Sequence, residues 1–220
     1  MKTGQQGGPA TIDLRLLSRI LRVLSMLPLD KIRRGESTYP FTDYFKGFEK
    51  IQAVRRIFGE ETEDALRNLK VEFTWIRSYM WVSDADGHLI VGSHYLKNGD
   101  LVDIYLDIIH ELVHVRQFLE GKKLFDNSHS YVDRPTEVEA YHHVVQEARN
   151  LGLSDERICE HLKTEWMSDE DLKQLANTLN VKYTSTKNHW TDQQNNGLRE
   201  TSANRVQGGS RYKLPIRRCS

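Results

Sequence analysis

Hydrophobic and polar positions recur with two different periods along the chain, and the changes of period divide it into segments. Near the N-terminus, leucine and isoleucine at positions 14, 17, 20, 21 and 24 have the spacing of an amphipathic helix. Residues 43–69 predict two further helical pieces, broken around Gly59. Aromatic and β-branched residues then dominate two runs, 71–83 and 88–96, separated by the turn sequence DADG. These two runs predict a β-hairpin.

The second half of the chain returns to helical periodicity. Asp100 has the position of an N-terminal cap for a helix over 101–120, and Gly121 has the position of its C-terminal stop. Asp133 is the expected cap of the following helix, with Pro135 in its first turn. The pattern therefore predicts two consecutive long helices, joined by a polar loop.

Two shorter helices follow, and Ser154 and Ser168 each precede one, with acidic residues directly behind them as in a helix N-terminus. From about Thr184 onward apolar residues become sparse and basic residues outnumber acidic ones, which predicts a disordered basic tail. The expected fold class is α+β. The expected segments are an N-terminal amphipathic helix and connector (1–40), a core (41–152), a C-terminal helical pair (153–183) and the tail (184–220).

Composition narrows the class of protein. The 220 residues carry 31 basic and 31 acidic side chains, so we expect no membrane partner, and nucleic-acid contact only through the basic tail. Arg15 and Arg19 interrupt the N-terminal apolar positions, so a signal peptide is not expected, although an arginine-rich transit peptide remains the minor alternative. Two cysteines, Cys159 and Cys219, form no disulfide framework, which favours a cytoplasmic location.

The candidate chemistry lies in the sequence HELVH, residues 110–114. His110 and His114 are four residues apart, so on a helix they share a face and can bind one ion. Glu111 points in a different direction and can hold a water bound to that ion. This is the HExxH arrangement of two zinc ligands and a general base. Zinc lowers the pKa of its bound water towards about 7, and the carboxylate takes the proton as the water attacks a carbonyl.

A chance match in a buried helix is the competing interpretation. The neighbours of the motif are apolar, so the two histidines and the glutamate would be buried at high cost without partners, whereas an ion satisfies all three. A catalytic zinc usually has three protein ligands and leaves its fourth position to water. The next helix offers four candidates for the third ligand: Glu137, Glu139, His142 and His143.

HExxH followed by a glutamate on the next helix resembles the gluzincin metallopeptidases. In several branches of that group the glutamate stands in a Glu-x-x-Ala motif, and EVEAY fits it with Glu137 and Ala140. The short chain and the strand before the zinc helix resemble the minimal gluzincins, which include small peptidases that cleave transcriptional repressors. The resemblance covers residues 71–150. It implies a small zincin-like domain, Glu137 as the third zinc ligand, and hydrolysis of a peptide bond.

The resemblance has one departure and one further implication. Many gluzincins carry an aspartate four residues after the ligand glutamate, where this chain has Tyr141. Either its hydroxyl reaches a zinc ligand or the oxyanion of the tetrahedral intermediate, or its ring packs in the core. The strand at 88–96 is implied to hold an extended peptide substrate by main-chain hydrogen bonds. Glu139 is expected to face solvent, and His142 and His143 to be surface or packing residues.

Three functions remain open. The first is a zinc metallopeptidase that acts on a peptide or protein by Glu111-assisted attack of zinc-bound water. The second is a zinc-stabilised domain that binds protein or nucleic acid through residues 154–181 and the tail, and cleaves nothing. The third is a metal-dependent hydrolase of a non-peptide amide. Glu111 favours hydrolysis, because a purely structural zinc site has four protein ligands and needs no general base.

Overall fold

The computed structural model describes residues 38–76 and 78–184, together with Ser18. The predictions for the N-terminal amphipathic helix and for the basic tail beyond Thr184 fall outside the described residues, apart from Ser18, which is helical. The described part mixes helices with one small sheet, so the predicted α+β class is confirmed. In chain order the elements are β1 (Thr38–Pro40), α1 (Phe41–Tyr44), α2 (Gln52–Phe58), α3 (Thr62–Asn68), β2 (Lys70–Thr74), β3 (Met80–Val82), β4 (Leu89–Gly92), α4 (Ser93–Asn98), α5 (Leu101–Leu119), α6 (Pro135–Asn150), α7 (Asp155–Leu162) and α8 (Asp169–Thr178).

The sheet has the strand order β1-β2-β4-β3, so the predicted hairpin of 71–83 with 88–96 is confirmed only in its inner part, where β3 and β4 pair antiparallel across the DADG turn. The run at 71–83 is two strands: β2 pairs with β4 in parallel, and β3 pairs with β4 antiparallel. The chain between β2 and β3 runs close to Gly92, where a Cβ atom would lie 2.0 Å from the carbonyl oxygen of Ser78. Residues 93–96, predicted as strand, belong to helix α4.

This strand order changes which strand can receive a substrate. β4 lies between β2 and β3, so its main-chain groups are used within the sheet, and the implied docking along 88–96 is corrected. The sheet has two edge strands, β1 and β3. β3 is the one that packs against α5. Its neighbours Tyr79 and Ser83 are the hydrogen-bonded positions opposite β4, through Gly92 N–H to Tyr79 O at 2.7 Å and Ser83 N–H to His88 O at 2.9 Å. Antiparallel alternation then directs the main-chain groups of Met80 and Val82 away from β4, towards the open edge.

Helix α5 runs through the centre of the fold, in contact with α6, α2 and β3. Its predicted cap is confirmed, since the Asp100 carboxylate accepts the N–H groups of Val102 at 2.9 Å and Asp103 at 3.1 Å. Its predicted end is confirmed as well, because Gly121 follows the last turn with φ of 73°. Gly87 has φ of 77° in the turn between β3 and β4, and its Cβ would collide with the Phe118 ring. That turn is therefore packed closely against the C-terminal part of α5.

The start of α6 differs from the prediction. Pro135 is its first residue as expected, but the residue before it, Arg134, has the cap position and makes no side-chain cap. The carboxylate of Asp133 instead accepts hydrogen bonds from Ser130 and Gln174, which ties the loop before α6 to helix α8. The predicted Asp133 cap is therefore wrong, because tertiary partners compete successfully for its side chain.

The C-terminal helical pair is present as predicted. The Ser154 hydroxyl accepts the N–H of Arg157 at 3.3 Å, and the Ser168 hydroxyl accepts the N–H of Asp171 at 3.1 Å. Asp171 completes a capping box with Ser168. Among the described helices, none is long and apolar enough to cross a membrane.

Candidate metal centre

Helices α5 and α6 pack side by side and bring together three side chains that the sequence proposed as ligands. His110 and His114 lie on α5 and Glu137 lies in the first turn of α6, and all three are buried, with exposed fractions of 8%, 7% and 5%. The Nε2 atoms of the two histidines are 2.9 Å apart. Glu137 Oε2 lies 3.3 Å from His110 Nε2 and 3.5 Å from His114 Nε2.

This triangle has the dimensions of a zinc site. A tetrahedral zinc ion with bonds of about 2.0 to 2.1 Å separates its ligand atoms by about 3.3 Å, close to the three distances observed here. Glu137 Oε2 has no hydrogen-bond partner among the described residues, although it is buried. An unpartnered buried carboxylate oxygen beside two imidazole nitrogens is costly without a cation. Among the described residues these three side chains form the group that could hold a metal ion, and their donor atoms fit zinc.

Each of the three side chains has a neighbour that fixes its orientation. His114 Nδ1 lies 2.7 Å from Gln117 Oε1, one turn further along α5. Arg134 Nη1 reaches the second oxygen of Glu137, Oε1, at 3.5 Å. The His110 ring meets the Tyr141 ring edge to face, with centroids 4.5 Å apart. Such contacts around ligand side chains set ring orientation and ligand basicity in metal sites.

The proposed base, Glu111, lies beside this triangle. It is 8% exposed, and its Oε2 has no hydrogen-bond partner among the described residues. Burial raises the pKa of Glu111 to about 8, with an opposing contribution from the positive charge of His114 and a further increase from Glu137. A hydrogen bond from the main chain of Val82, on edge strand β3, acts to lower that pKa. Glu111 is thus a carboxyl group placed between the metal triangle and the open edge of the sheet.

The charges of the three ligand side chains are strongly coupled. Burial lowers the pKa of His110 to about 4, and the neighbouring His114 adds to this effect. Burial would also lower the pKa of His114, but the nearby carboxylate of Glu137, together with Glu111, raises it to about 9. Burial acts to raise the pKa of Glu137, yet the two adjacent imidazoles hold it well below its usual range. His114 is therefore the imidazole of the triangle that holds a proton more strongly.

The predictions for Glu139 and for the pair His142 and His143 have different outcomes. Glu139 is not part of the triangle, as expected, but it is not simply solvated. Its carboxylate accepts the side-chain amide of Gln117 at 2.7 Å and forms ion pairs with Arg116 and Lys122. His142, which is exposed, and His143, which is partly exposed, line a separate surface cavity together with Leu179, in agreement with the prediction that they are surface or packing residues.

The structure leaves both alternatives for Tyr141 in place. Its ring is buried against His110, which is the packing role, and its hydroxyl lies 2.9 Å from the hydroxyl of Tyr131. Tyr131 stands in the one-turn helix before α6 and contacts the exposed ring of Trp166. The catalytic role of the Tyr141 hydroxyl stays a prediction.

Sequence reasoning missed a second polar cluster on α5, one turn before the triangle. Asp107 accepts a hydrogen bond from the Tyr95 hydroxyl at 2.5 Å and lies 3.6 Å from His161 Nε2. His161 Nδ1 is also 2.9 Å from Asp103, which pairs with Arg157. The spacing of Asp103, Asp107 and Glu111 at four-residue intervals was the available signal. Unlike Glu111, both aspartates in this cluster have close partners.

No family model, curated protein or solved structure matches this chain. The gluzincin resemblance of the HELVH and EVEAY motifs therefore stays a prediction.

Proposed function

We propose that this protein is a zinc-dependent metallopeptidase of the gluzincin type. The observation that carries the proposal is the triangle of His110 Nε2, His114 Nε2 and Glu137 Oε2, with sides of 2.9, 3.3 and 3.5 Å. Three protein ligands with a fourth position open are typical of catalytic zinc, whereas structural zinc is enclosed by four. Bound there, zinc would supply a Lewis acid that polarises a carbonyl and makes a water acidic near neutral pH.

Glu111 supplies the proton transfer in this proposal. Its unpartnered, buried carboxyl oxygen is free to accept a proton from an attacking water and to pass it to the leaving amine. The pKa of about 8 applies to the protein without a cation, and a nearby divalent cation lowers a carboxyl pKa. Glu111 is therefore suited to act as a base near neutral pH once the triangle is filled.

The edge strand favours a peptide as the substrate. The main-chain groups of Met80 and the carbonyl of Val82 face away from β4 on the outer side of β3, while the Val82 N–H is hydrogen-bonded to Glu111. A peptide that adds to β3 as a further strand would lie beside Glu111, with its carbonyl groups next to the metal triangle. This geometry supports a peptide over a small amide as the substrate, because a small amide would leave the strand unused.

Substitution of Glu111 by glutamine tests the proposal. Glu111→Gln keeps the shape of the side chain but cannot accept a proton, so turnover of a fluorogenic peptide mixture should fall by about 10² to 10⁴. Metal analysis by mass spectrometry should find one zinc per chain in both proteins. The matched control is Glu165→Gln, which changes an exposed glutamate and should leave turnover unchanged.

Two results would reject parts of the proposal. Equal turnover in wild type and Glu111→Gln removes the hydrolytic mechanism and favours a zinc-stabilised interaction domain. Full zinc content in a His110→Ala, His114→Ala double variant removes the site itself.

A further inference from the structure

Gln117 is a fully buried glutamine, with an exposed fraction of 0%, on the face of α5 that carries the metal triangle. The HExxH motif gives this position no role. A buried side-chain amide is costly unless its oxygen and both N–H groups find partners. The partners of Gln117 therefore show what the residue is for.

Those partners determine which way the amide points. Gln117 Nε2 lies 3.0 Å from the carbonyl oxygen of Thr136 and 2.7 Å from Glu139 Oε2. Both neighbours accept hydrogen bonds and neither donates, so the NH₂ group must face them. The opposite orientation would place the amide oxygen against two other oxygens. Gln117 Oε1 is consequently the atom that faces His114 Nδ1, at 2.7 Å.

An amide oxygen can only accept, so His114 Nδ1 must carry the hydrogen of this contact. The lone pair left for a metal is then that of His114 Nε2, the nitrogen that lies 2.9 Å from His110 Nε2 and 3.5 Å from Glu137. We propose that Gln117 is a positioning residue that selects the metal-binding nitrogen of His114. This inference rests on the proposed metal site and assigns a residue outside its ligands.

Glu139 holds Gln117 in this orientation, and the end of α5 holds Glu139. Beyond Gly121 the chain turns back, with the Lys122 N–H bonded to the carbonyl of Gln117 at 2.9 Å. The Lys122 ammonium then reaches Glu139 Oε2 at 3.1 Å, and Arg116 pairs with Glu139 Oε1. The orienting chain thus runs from the Arg116 and Lys122 cations through Glu139 and Gln117 to His114.

Zinc affinity, measured by competition with a chromogenic chelator, tests the inference. Gln117→Met has a similar length but no acceptor for His114 Nδ1–H, and loss of such a contact typically weakens metal binding by about 10- to 100-fold. Gln146→Met changes an exposed glutamine on α6 and should bind zinc as wild type does. The double variant Gln117→Glu, Glu139→Gln places a carboxylate beside His114 Nδ1 as an acceptor. The new amide at position 139 can then donate a hydrogen bond to that carboxylate. It should recover part of the lost affinity, because the new carboxylate still faces the carbonyl oxygen of Thr136 without a donor.

A spectroscopic measurement on wild-type protein makes the test independent of how the variants fold. Two-bond ¹H–¹⁵N spectra of the zinc-loaded protein should show hydrogen on Nδ1 of His114 and none on Nε2. Hydrogen on Nε2, or unchanged affinity in a folded Gln117→Met, would overturn the inference and leave the metallopeptidase proposal standing. A wild-type protein that binds no zinc would overturn both.

Discussion

Helix α6 carries two buried glutamates, Glu137 near its start and Glu147 near its end, with exposed fractions of 5% and 4%. Glu147 is fully paired. Its Oε1 accepts the Tyr105 hydroxyl at 2.8 Å, and its Oε2 accepts Arg56 at 3.1 Å and Asn150 at 3.1 Å. This is how a buried carboxylate is stabilised by a fold alone.

Glu137 differs from Glu147 in its hydrogen-bond partners. Its Oε1 has a long contact to Arg134, and its Oε2 lies near two imidazole nitrogens and accepts no hydrogen bond from the described part of the chain. Two glutamates of equal burial on one helix thus differ in whether the protein itself supplies their partners. Burial and residue type are the same for both residues, so the missing donor beside Glu137 is the feature that supports its proposed role as a ligand.

Replacing Glu137 by glutamine should mainly lower zinc affinity, whereas replacing Glu147 by glutamine should mainly lower the free energy of unfolding. Glu137→Gln removes a charged ligand, so zinc affinity should fall by about 100-fold, the upper range for changes at a metal site. Glu147→Gln confronts Arg56 with an amide, and lost hydrogen bonds to charged groups lower the free energy of unfolding by about 2 to 3 kcal/mol. Chelator competition and urea unfolding measure the two quantities separately.

The same pair can be compared with and without zinc. A ligand at a hundredfold excess over its Kd stabilises the folded state by about 2.7 kcal/mol, so chelation should lower the Tm of wild type and of Glu147→Gln alike. The Tm of Glu137→Gln should barely respond. A zinc response that survives in Glu137→Gln and disappears in Glu147→Gln would reverse the assignment of the two residues.

Glu111 extends the comparison, because it too is buried with an oxygen lacking a donor. Burial raises its pKa from 4.5 to about 8, so the folded chain holds its proton more tightly than the unfolded chain does. The penalty for folding is absent below pH 4.5 and grows as pH rises towards 8. Without zinc, Glu111→Gln should therefore match wild type near pH 4.5 and exceed it in unfolding free energy at pH 8, by at least about 1 kcal/mol.

Glu139 is a carboxylate that has hydrogen-bond partners, and it provides a control in which the effect of pH on stability should have the opposite sign. Burial acts to raise the pKa of Glu139, but the Gln117 amide, Lys122 and Arg116 lower it on balance. Glu139→Gln should therefore be less stable than wild type at neutral pH, and the difference should vanish as pH falls below the usual carboxyl range. If urea unfolding of Glu111→Gln showed the same trend, Glu111 would be a paired structural residue.

Some of these residues could be predicted from local sequence spacing, whereas others depend on how distant segments pack. His110, Glu111 and His114 follow from helical spacing, and the caps at Asp100, Ser154 and Ser168 are confirmed because capping is a local contact. Glu137 rested on the family resemblance in addition, since its distance from the histidines depends on how two helices pack.

Non-local contacts account for what the sequence missed. β2 pairs in parallel with β4, which places β4 between β2 and β3. No local sequence pattern links the segments that pair in this way. Gln117 has the spacing of the metal face, three residues after His114, but a glutamine there becomes informative only when Thr136 and Glu139 are seen beside it.

The smallest expected effect concerns Tyr105 and Tyr141, two buried tyrosines whose hydroxyl groups have different hydrogen-bond partners. Tyr105 donates its hydroxyl to Glu147, whereas the Tyr141 hydroxyl pairs with that of Tyr131, outside the triangle. Tyr105→Phe removes a donor from a buried charge and should cost about 2 kcal/mol of unfolding free energy, against about 1 kcal/mol for the neutral pair in Tyr141→Phe.

Tyr141→Phe keeps the ring that packs on His110, so we expect wild-type zinc affinity and turnover from it. Tyr141→Ala removes that ring, frees His110 to rotate, and should weaken zinc binding. The two variants thus separate the packing role of Tyr141 from the alternative in which its hydroxyl stabilises the oxyanion. If Tyr141→Phe kept its zinc and its fold but lost turnover by about 10²-fold, the usual result for a lost oxyanion donor, the hydroxyl would belong to the reaction. The Tyr131 contact would then have to open for the substrate, and Tyr131→Phe should leave turnover intact.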